Sequence, residues 1–238
     1  MPKTFLKAKW EHLIMANYAI PPSVLMPYLP YGVELDLFNG SAYASLVGFM
    51  FNDTKLFNVP IPFLGTFEEV NLRFYVKRIQ GSTVKRGVVF INETVPYQPV
   101  AWLANKLYQE HYIAIPTRNT IKTTYSEKKV RYEWKAKNKW NHVEVVAETE
   151  PTAMLMGSFE EFIFEHYFGY TKLTENLSQE YYVNHPRWQV HEVKQFDINC
   201  DFTTMYRNDF SFLNHQQPDK VMLAQGSEVT VDWRRIRF

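Results

Sequence analysis

Cysteine is almost missing from this chain: Cys200 is the single one in 238 residues. One thiol can form neither an internal disulfide nor a cysteine-rich metal site, so nothing demands an oxidising compartment. Between Asn199 and Asp201 it reads as a small apolar filler. Long apolar runs are lacking too. No stretch approaches the ~20 residues of a membrane-spanning helix, and Met1 to Trp10 holds no run of signal-peptide length. A cytoplasmic protein without a membrane partner is expected. Charge of one sign is also lacking, with 26 Lys and Arg against 25 Asp and Glu, a formal net charge of +1. A chain so balanced has no field to steer it onto nucleic acid, and the basic end at Arg234, Arg235 and Arg237 reads as a solvated edge. The sequence contains no Gly-rich phosphate loop followed by Lys, no His-Glu-x-x-His and no Gly-x-Ser-x-Gly. P-loop, zincin and serine-hydrolase chemistries are therefore set aside, and no cofactor is expected.

What is present is core-forming material. Hydrophobic residues make up 46% and aromatics 16%, enough for a sizeable core, and no linker, fixed-period repeat or low-complexity tract interrupts it. A single domain over 1–238 follows. Residues 10–20 read as a strand. Pro21-Pro22-Ser23 opens a short helix with Ser23 as its cap, ended by Pro30 and Gly32. Asn39-Gly40 between apolar runs at 33–38 and 42–51 predicts a hairpin. Residues 52–66 read as a Pro- and Phe-rich loop. A strand at 69–79 turns at Gln80-Gly81-Ser82 and pairs back through 87–92. Pro99 starts a helix running to about His111. Lys128 to Thr149 is a long hairpin with its turn at 135–141. Ser158-Phe159-Glu160-Glu161 is a capping box for a helix over 159–167 with Phe159, Phe162, Ile163 and His166 on its buried side. Residues 180–238 read as several strands, with Gln225-Gly226-Ser227 as the last turn. The sum is a mainly β fold, largely antiparallel, with two or three short helices.

The stretch Phe67-Glu68-Glu69-Val70-Asn71-Leu72-Arg73-Phe74-Tyr75-Val76 concentrates the functional signal. Val70, Leu72, Phe74 and Val76 alternate with Glu69, Asn71, Arg73 and Tyr75, so one face is apolar and the other carries an acid, an amide, a cation and a phenol. That second face is either a wetted sheet surface, with an ion pair worth less than ~1 kcal/mol, or the wall of a polar pocket. In a pocket, desolvation would raise the Glu69 pKa, Arg73 would lower it, and the carboxyl could act as acid or base. His185 and His191 flank Pro186, Arg187 and Trp188. An extended chain separates them by about 20 Å, too far for joint metal ligation, so no metal site is expected. Each needs partners elsewhere, His185 in a core or pocket, with Trp188 as a packing anchor. His111 and Tyr112 follow the helix; a cap with aromatic packing is the plain reading, a polar pair beside Glu69 the functional one. Lys106, on the helix's polar face, reads as solvated.

The order of the pieces carries a resemblance. Trp10 to Leu13, Ile20-Pro21-Pro22, Leu29 to Asp36, Phe38-Asn39-Gly40-Ser41-Ala42-Tyr43, Phe67 to Val76, Phe159 to Tyr170 and His185-Pro186-Arg187-Trp188 together resemble the uncharacterised YqjF-like family. That family is a distant relative of acetoacetate decarboxylase. The resemblance implies an antiparallel, β-barrel-like fold with a pocket inside the β assembly. In acetoacetate decarboxylase a buried lysine, its pKa lowered by an adjacent lysine, forms a Schiff base with a β-keto acid, and glutamates and an arginine complete the pocket. By motif order Glu69 matches one of the glutamates. The lysine pair should fall at His111-Tyr112, the arginine near Glu11 and the second glutamate near Ser45, and none of these positions carries the expected residue. Without the amine there is no electron sink for decarboxylation. The resemblance therefore implies a pocket for a small carbonyl or carboxylic compound without Schiff-base chemistry. It would serve either acid–base catalysis by Glu69, with Asn71, Arg73, His111, Tyr112 and His185 holding the ligand, or ligand binding alone; a structural or interaction domain with no ligand ranks behind both. Self-association into a homo-oligomer stays open.

Overall fold

β1 (Thr4–Ile20) begins six residues earlier than expected and carries a bulge. His12 takes φ +57, and the pairing with the next long strand shifts register between Glu11 and Ile14. The computed structural model describes residues 4–238; the first three residues of the segment read for a leader lie outside the described residues. α1 (Pro22–Leu25) uses Pro22 in its first turn and has no side-chain cap, so Ser23 lies inside it and is not the cap. A 3₁₀ turn over Met26–Tyr28 extends it. Asn39 and Gly40 adopt the left-handed φ the hairpin reading requires, +50 and +84, but a single Phe38–Ser41 bridge closes the turn. β2 (Glu34–Leu35) does not pair with β3 (Ala42–Leu56). The edges of β3 are taken by β1 and by β5 (Phe67–Gln80), leaving β2 to pair with residues 76–77 of β5. The expected loop at 52–66 holds a hairpin: β3 turns at Phe57 and Asn58, both at positive φ, into β4 (Val59–Pro60).

β5 turns at Gly81, φ +60, into β6 (Thr83–Val95). α2 (Gln98–Tyr108) carries Pro99 in its first turn and stops at Gln109, whose left-handed φ of +57 ends the helix two residues short of His111. β7 (Tyr112–Ala114) pairs parallel to β6. β8 (Thr117–Thr123), β9 (Lys128–Ala136) and β10 (Lys139–Ala147) follow, with the β9–β10 turn at Lys137-Asn138 inside the expected window. After β11 (Thr152–Ala153), α3 (Phe159–Phe164) is capped by Ser158, whose side chain accepts from the Glu161 amide, and it ends before His166. β12 (Phe168–Thr174), β13 (Leu177–Asn184), β14 (Gln189–His191) and β15 (Val193–Asn199) come next. α4 (Phe202–Tyr206) is a helix where strands were expected; Asp201 caps it by accepting from the Thr204 amide. A 3₁₀ segment over Asn208–His215 leads to β16 (Lys220–Arg237). Gly226, at φ +86, is no turn: β16 runs through it, paired to β1, and a Cβ there would lie 1.9 Å from the Trp10 carbonyl oxygen.

The fold is mostly β. The pairings β1–β3–β5–β6–β12–β13–β16 return to β1 and so close a circuit. The sheet is mixed and not purely antiparallel, because β6 pairs parallel with both β7 and β12. A second, four-stranded sheet, β15–β10–β9–β8, lies apart from it. Two cores result. Ile14, Leu46, Leu72 and Phe74 pack against Tyr132, Trp134, Val143 and Val145 of the second sheet. Leu13, Val47, Phe49, Tyr75 and Val88 face the other way and pack with Ala101 of α2 and Phe162 of α3. Strands β1, β3 and β5 are thus buried on both faces. No helix among the described residues is long and apolar enough to cross a membrane.

Candidate functional site

The alternation in β5 is real, and burial of both faces decides what it means. Glu69 is 2% exposed and Asn71 1%, so the polar face is no wetted surface. Three neighbouring strands bring the polar groups into one row. Asn71 on β5 sits opposite Glu93 on β6, and Glu93 sits beside Tyr112 on β7. Asn105 on α2 fixes β7 by donating to the Tyr112 carbonyl at 2.9 Å and accepting from its amide at 2.7 Å. Asn71 Nδ2 donates to Glu69 Oε1 at 2.9 Å, and the Tyr112 hydroxyl donates to Glu69 Oε2 at 3.2 Å.

Burial pushes the Glu69 carboxyl up to about 7 against the pull of those two hydrogen bonds, with Arg73 contributing a smaller lowering. Two further glutamates complete the cluster. Glu93 is pushed well above the carboxylate range by burial and by the charge of Glu110 beside it. Glu110, just beyond α2, is raised by burial; it shares a hydrogen bond with Glu93 and accepts from the Tyr181 hydroxyl of β13 at 2.5 Å. The Tyr112 and Tyr181 phenols are themselves held well above their usual value by burial, so both stay neutral donors. Two neighbouring carboxyls raised in this way do not both lose their protons cheaply.

These groups line a cavity of about 140 Å³, close to the size that holds a benzene-sized molecule. Apolar side chains make up most of its wall, among them Phe49, Phe67, Leu103 and Trp188. Arg73 enters it as its cation. Arg73 Nη2 reaches Met15 Sδ at 3.6 Å, the guanidinium lies 5.8 Å from the Tyr75 ring centre, and the buried Nε has no hydrogen-bond partner among the described residues. The same holds for Trp10 Nε1, Asn71 Oδ1, Glu93 Oε2, Tyr108 OH and His166 Nδ1, all from residues on this wall.

Of the residues singled out in the sequence, Glu69, Asn71, Arg73, Tyr112 and His185 meet at this cavity. His185 is buried, its ring stacked 4.1 Å from Trp188 and 4.7 Å from Tyr167, and its Nδ1–H donates to the Pro186 carbonyl at 2.9 Å. Burial lowers its pKa to about 4 and keeps it neutral. His111 does not join them. With α2 ending early, its side chain is exposed and borders an outer cleft with Arg207. Glu11 and Ser45, where the resemblance places an arginine and a second glutamate, lie elsewhere: Glu11 accepts from Asn52 at 2.7 Å, and Ser45 bonds Asn17 and Tyr75 in a buried network. His191 sits near Lys128, at 3.3 Å. Sequence reasoning missed Glu93, Glu110 and Tyr181, and it read His166 as a buried helix residue without a place in the site. Glu93 left one signal, an acid inside the apolar run 88–95; Glu110 left none, because it looks like an ordinary polar residue after a helix. Among the described residues no group of three or more His, Cys, Asp or Glu is placed to hold a metal ion.

Comparison with known proteins identifies similar chains. The family model DUF2071, described as an uncharacterised conserved protein, matches residues 7–228. Protein YqjF of Bacillus subtilis strain 168 is 33% identical over 72 residues, a stretch that spans 30% of this chain and 30% of that protein. An acetoacetate decarboxylase-like enzyme from Sphingomonas wittichii RW1 superposes with a TM-score of 0.67 at 10% identity, covering 100% of this chain and 94% of that one. The enduracididine biosynthesis enzyme MppR, in complex with pyruvate, gives 0.66 at 10% identity over 100% and 91%. Acetoacetate decarboxylase from Legionella pneumophila gives 0.63 at 9% identity over 97% and 86%. These structures share the fold.

Proposed function

We propose, from the premise that the chain belongs to the DUF2071 family, that its cavity binds a small carboxylic or carbonyl compound and that Glu69 exchanges a proton with it. One observation carries the reading: several residues that bear buried polar atoms with no hydrogen-bond partner among the described residues line one small cavity together with Arg73 and Glu69. Arg73 supplies the counter-charge for a carboxylate in an apolar wall. Glu69, with its pKa near neutrality, is poised to take or give a proton. The Tyr112 hydroxyl, a neutral donor at 3.2 Å, orients that carboxyl. The MppR complex with pyruvate supports the ligand class by analogy of fold.

No lysine is among the described residues on the cavity wall, which supports chemistry without a Schiff base. The reading is tested with pyruvate and propanoate, by calorimetry and by proton NMR of pyruvate methyl exchange in D₂O. Both acids bind the wild type, and Arg73→Gln weakens both at least about tenfold, as loss of a charge-assisted contact should. Glu69→Gln keeps binding and stops the exchange. Equal affinity in wild type and Arg73→Gln would reject the site. A lysine adduct trapped by borohydride would reject the chemistry.

A further inference from the structure

His166 lies just after α3, and its side chain is buried at 1% exposure on the cavity wall. Its ring packs 4.8 Å from the Tyr75 ring and 5.4 Å from Phe162. Nε2 lies 3.2 Å from Asp36 Oδ2. Asp36 also accepts from Arg86 Nε at 2.6 Å, and its amide donates to the Tyr75 carbonyl at 3.0 Å, so the carboxylate is anchored to the strand that carries Glu69 and Arg73. Although burial works against ionisation, the bonds from His166 and Arg86 hold Asp36 below the usual carboxylate range. An ionised carboxylate only accepts, so the ring proton sits on Nε2 and Nδ1 is left with its lone pair. Burial and the nearby Arg86 and Arg73 charges outweigh Asp36 and lower the imidazole to about 4, so the ring is neutral. Nδ1 is buried and finds no partner among the described residues. It is an unpaired acceptor on a residue that lines the cavity, and the cavity's cation, Arg73, flanks the same Tyr75 ring.

A carboxylate or a carbonyl offers no proton to such an atom. A hydroxyl does. We propose that His166 Nδ1 accepts a hydrogen bond from a ligand hydroxyl, so that the cavity selects small hydroxy acids over their deoxy counterparts, with Asp36 and Arg86 as the residues that hold the ring. This rests on the reading of Arg73 as the carboxylate anchor and goes past it by naming the second functional group. A buried acceptor that only a ligand can pair disfavours an analogue unable to fill it, because the acceptor is then left unpaired; Asn71 Oδ1 and Glu93 Oε2 are also unpaired on this wall among the described residues, and the His166 variant separates their share from that of Nδ1.

The probes are lactate and propanoate, which differ by one hydroxyl. Calorimetry on the wild type gives at least about tenfold tighter binding of lactate. His166→Phe keeps the ring packing against Tyr75 and Phe162, brings lactate down to the propanoate level and leaves propanoate within about twofold. On the unmutated protein, ¹⁵N NMR finds the His166 tautomer with its proton on Nε2, and the Nδ1 resonance shifts with lactate and not with propanoate. Propanoate binding that depends on Arg73, with no preference for lactate, overturns the His166 inference alone. Failure of both acids to bind overturns it together with the anchor. A proton on Nδ1 in the free protein overturns it without any variant.

Discussion

At the scale of single residues, the site rests on how Glu69 is solvated by protein in place of water. Its carboxylate receives the Asn71 amide at 2.9 Å and the Tyr112 hydroxyl at 3.2 Å, and these bonds favour the charged form that burial disfavours. Their balance puts the carboxyl near neutrality. Tyr112→Phe removes one of the two bonds and leaves the ring volume in place. The Glu69 pKa should then rise above its value of about 7 by roughly one unit, the worth of one such bond. A carboxyl ¹³C titration of the wild type and the variant reads this directly. An unmoved midpoint would mean that the phenol does not tune the acid. Arg73 works at the same scale and in the same direction, but it is the weakest of the contributors, because it is held off Glu69 and directed toward Met15 and Tyr75.

At the scale of elements, β3 and β9 show how the second sheet is seated. Gly48 on β3 faces Tyr132 on β9, and a Cβ at Gly48 would lie 2.6 Å from Tyr132 Cδ2. The Tyr132 ring is fully buried and its hydroxyl donates to the His12 carbonyl at 3.0 Å, so it cannot withdraw. Gly48→Ala should cost about 1–3 kcal/mol through overpacking, seen as a lower urea midpoint with an unchanged slope. An unchanged midpoint would show that the sheets separate without cost. The same elements show what was legible beforehand. Alternation in β5, the Lys137-Asn138 turn, the Ser158 cap and the mainly β class could be read because each follows from local pattern or turn chemistry. The pairing of β2 with β5 could not, since it depends on which edges the long strands leave free. Nor could α4 or the unbroken course of β16 through Gly226, where tertiary pairing overrides a turn signal. Glu69, Asn71 and Arg73 were found because they share one strand. Glu93, Glu110 and Tyr181 were not, because they come from separate elements that only the folded sheet brings together.

At the scale of the whole molecule, the buried acids and imidazoles set opposing slopes of stability against pH. The folded Glu69 holds its proton up to about 7, whereas its ordinary value is 4.5. Between those two values the native state binds more protons than the unfolded chain, so stability falls as pH rises and levels off above about 7. The full effect is about 3 kcal/mol. His166 and His185 act in the other sense. Their folded values of about 4 lie below the ordinary 6.5, so the unfolded chain takes up protons first and stability is lost as pH falls from 6.5 toward 4. Glu69→Gln deletes this carboxyl's share of the first slope and keeps the shares of Glu93 and Glu110 and the whole of the second. The stability of the variant relative to wild type should therefore climb with pH between about 4.5 and 7, by up to about 3 kcal/mol, and then stay flat. Urea midpoints measured at pH 5, 6, 7 and 8, converted at roughly 1–3 kcal/mol per molar, would trace that difference, and parallel curves for the two proteins would show that the carboxyl is not held protonated by the fold. A gain on that scale from one amide would also explain why the acid is a liability to stability at neutral pH. Packing alone gives no reason to keep a group at such a cost, and the proton exchange proposed for Glu69 would supply one.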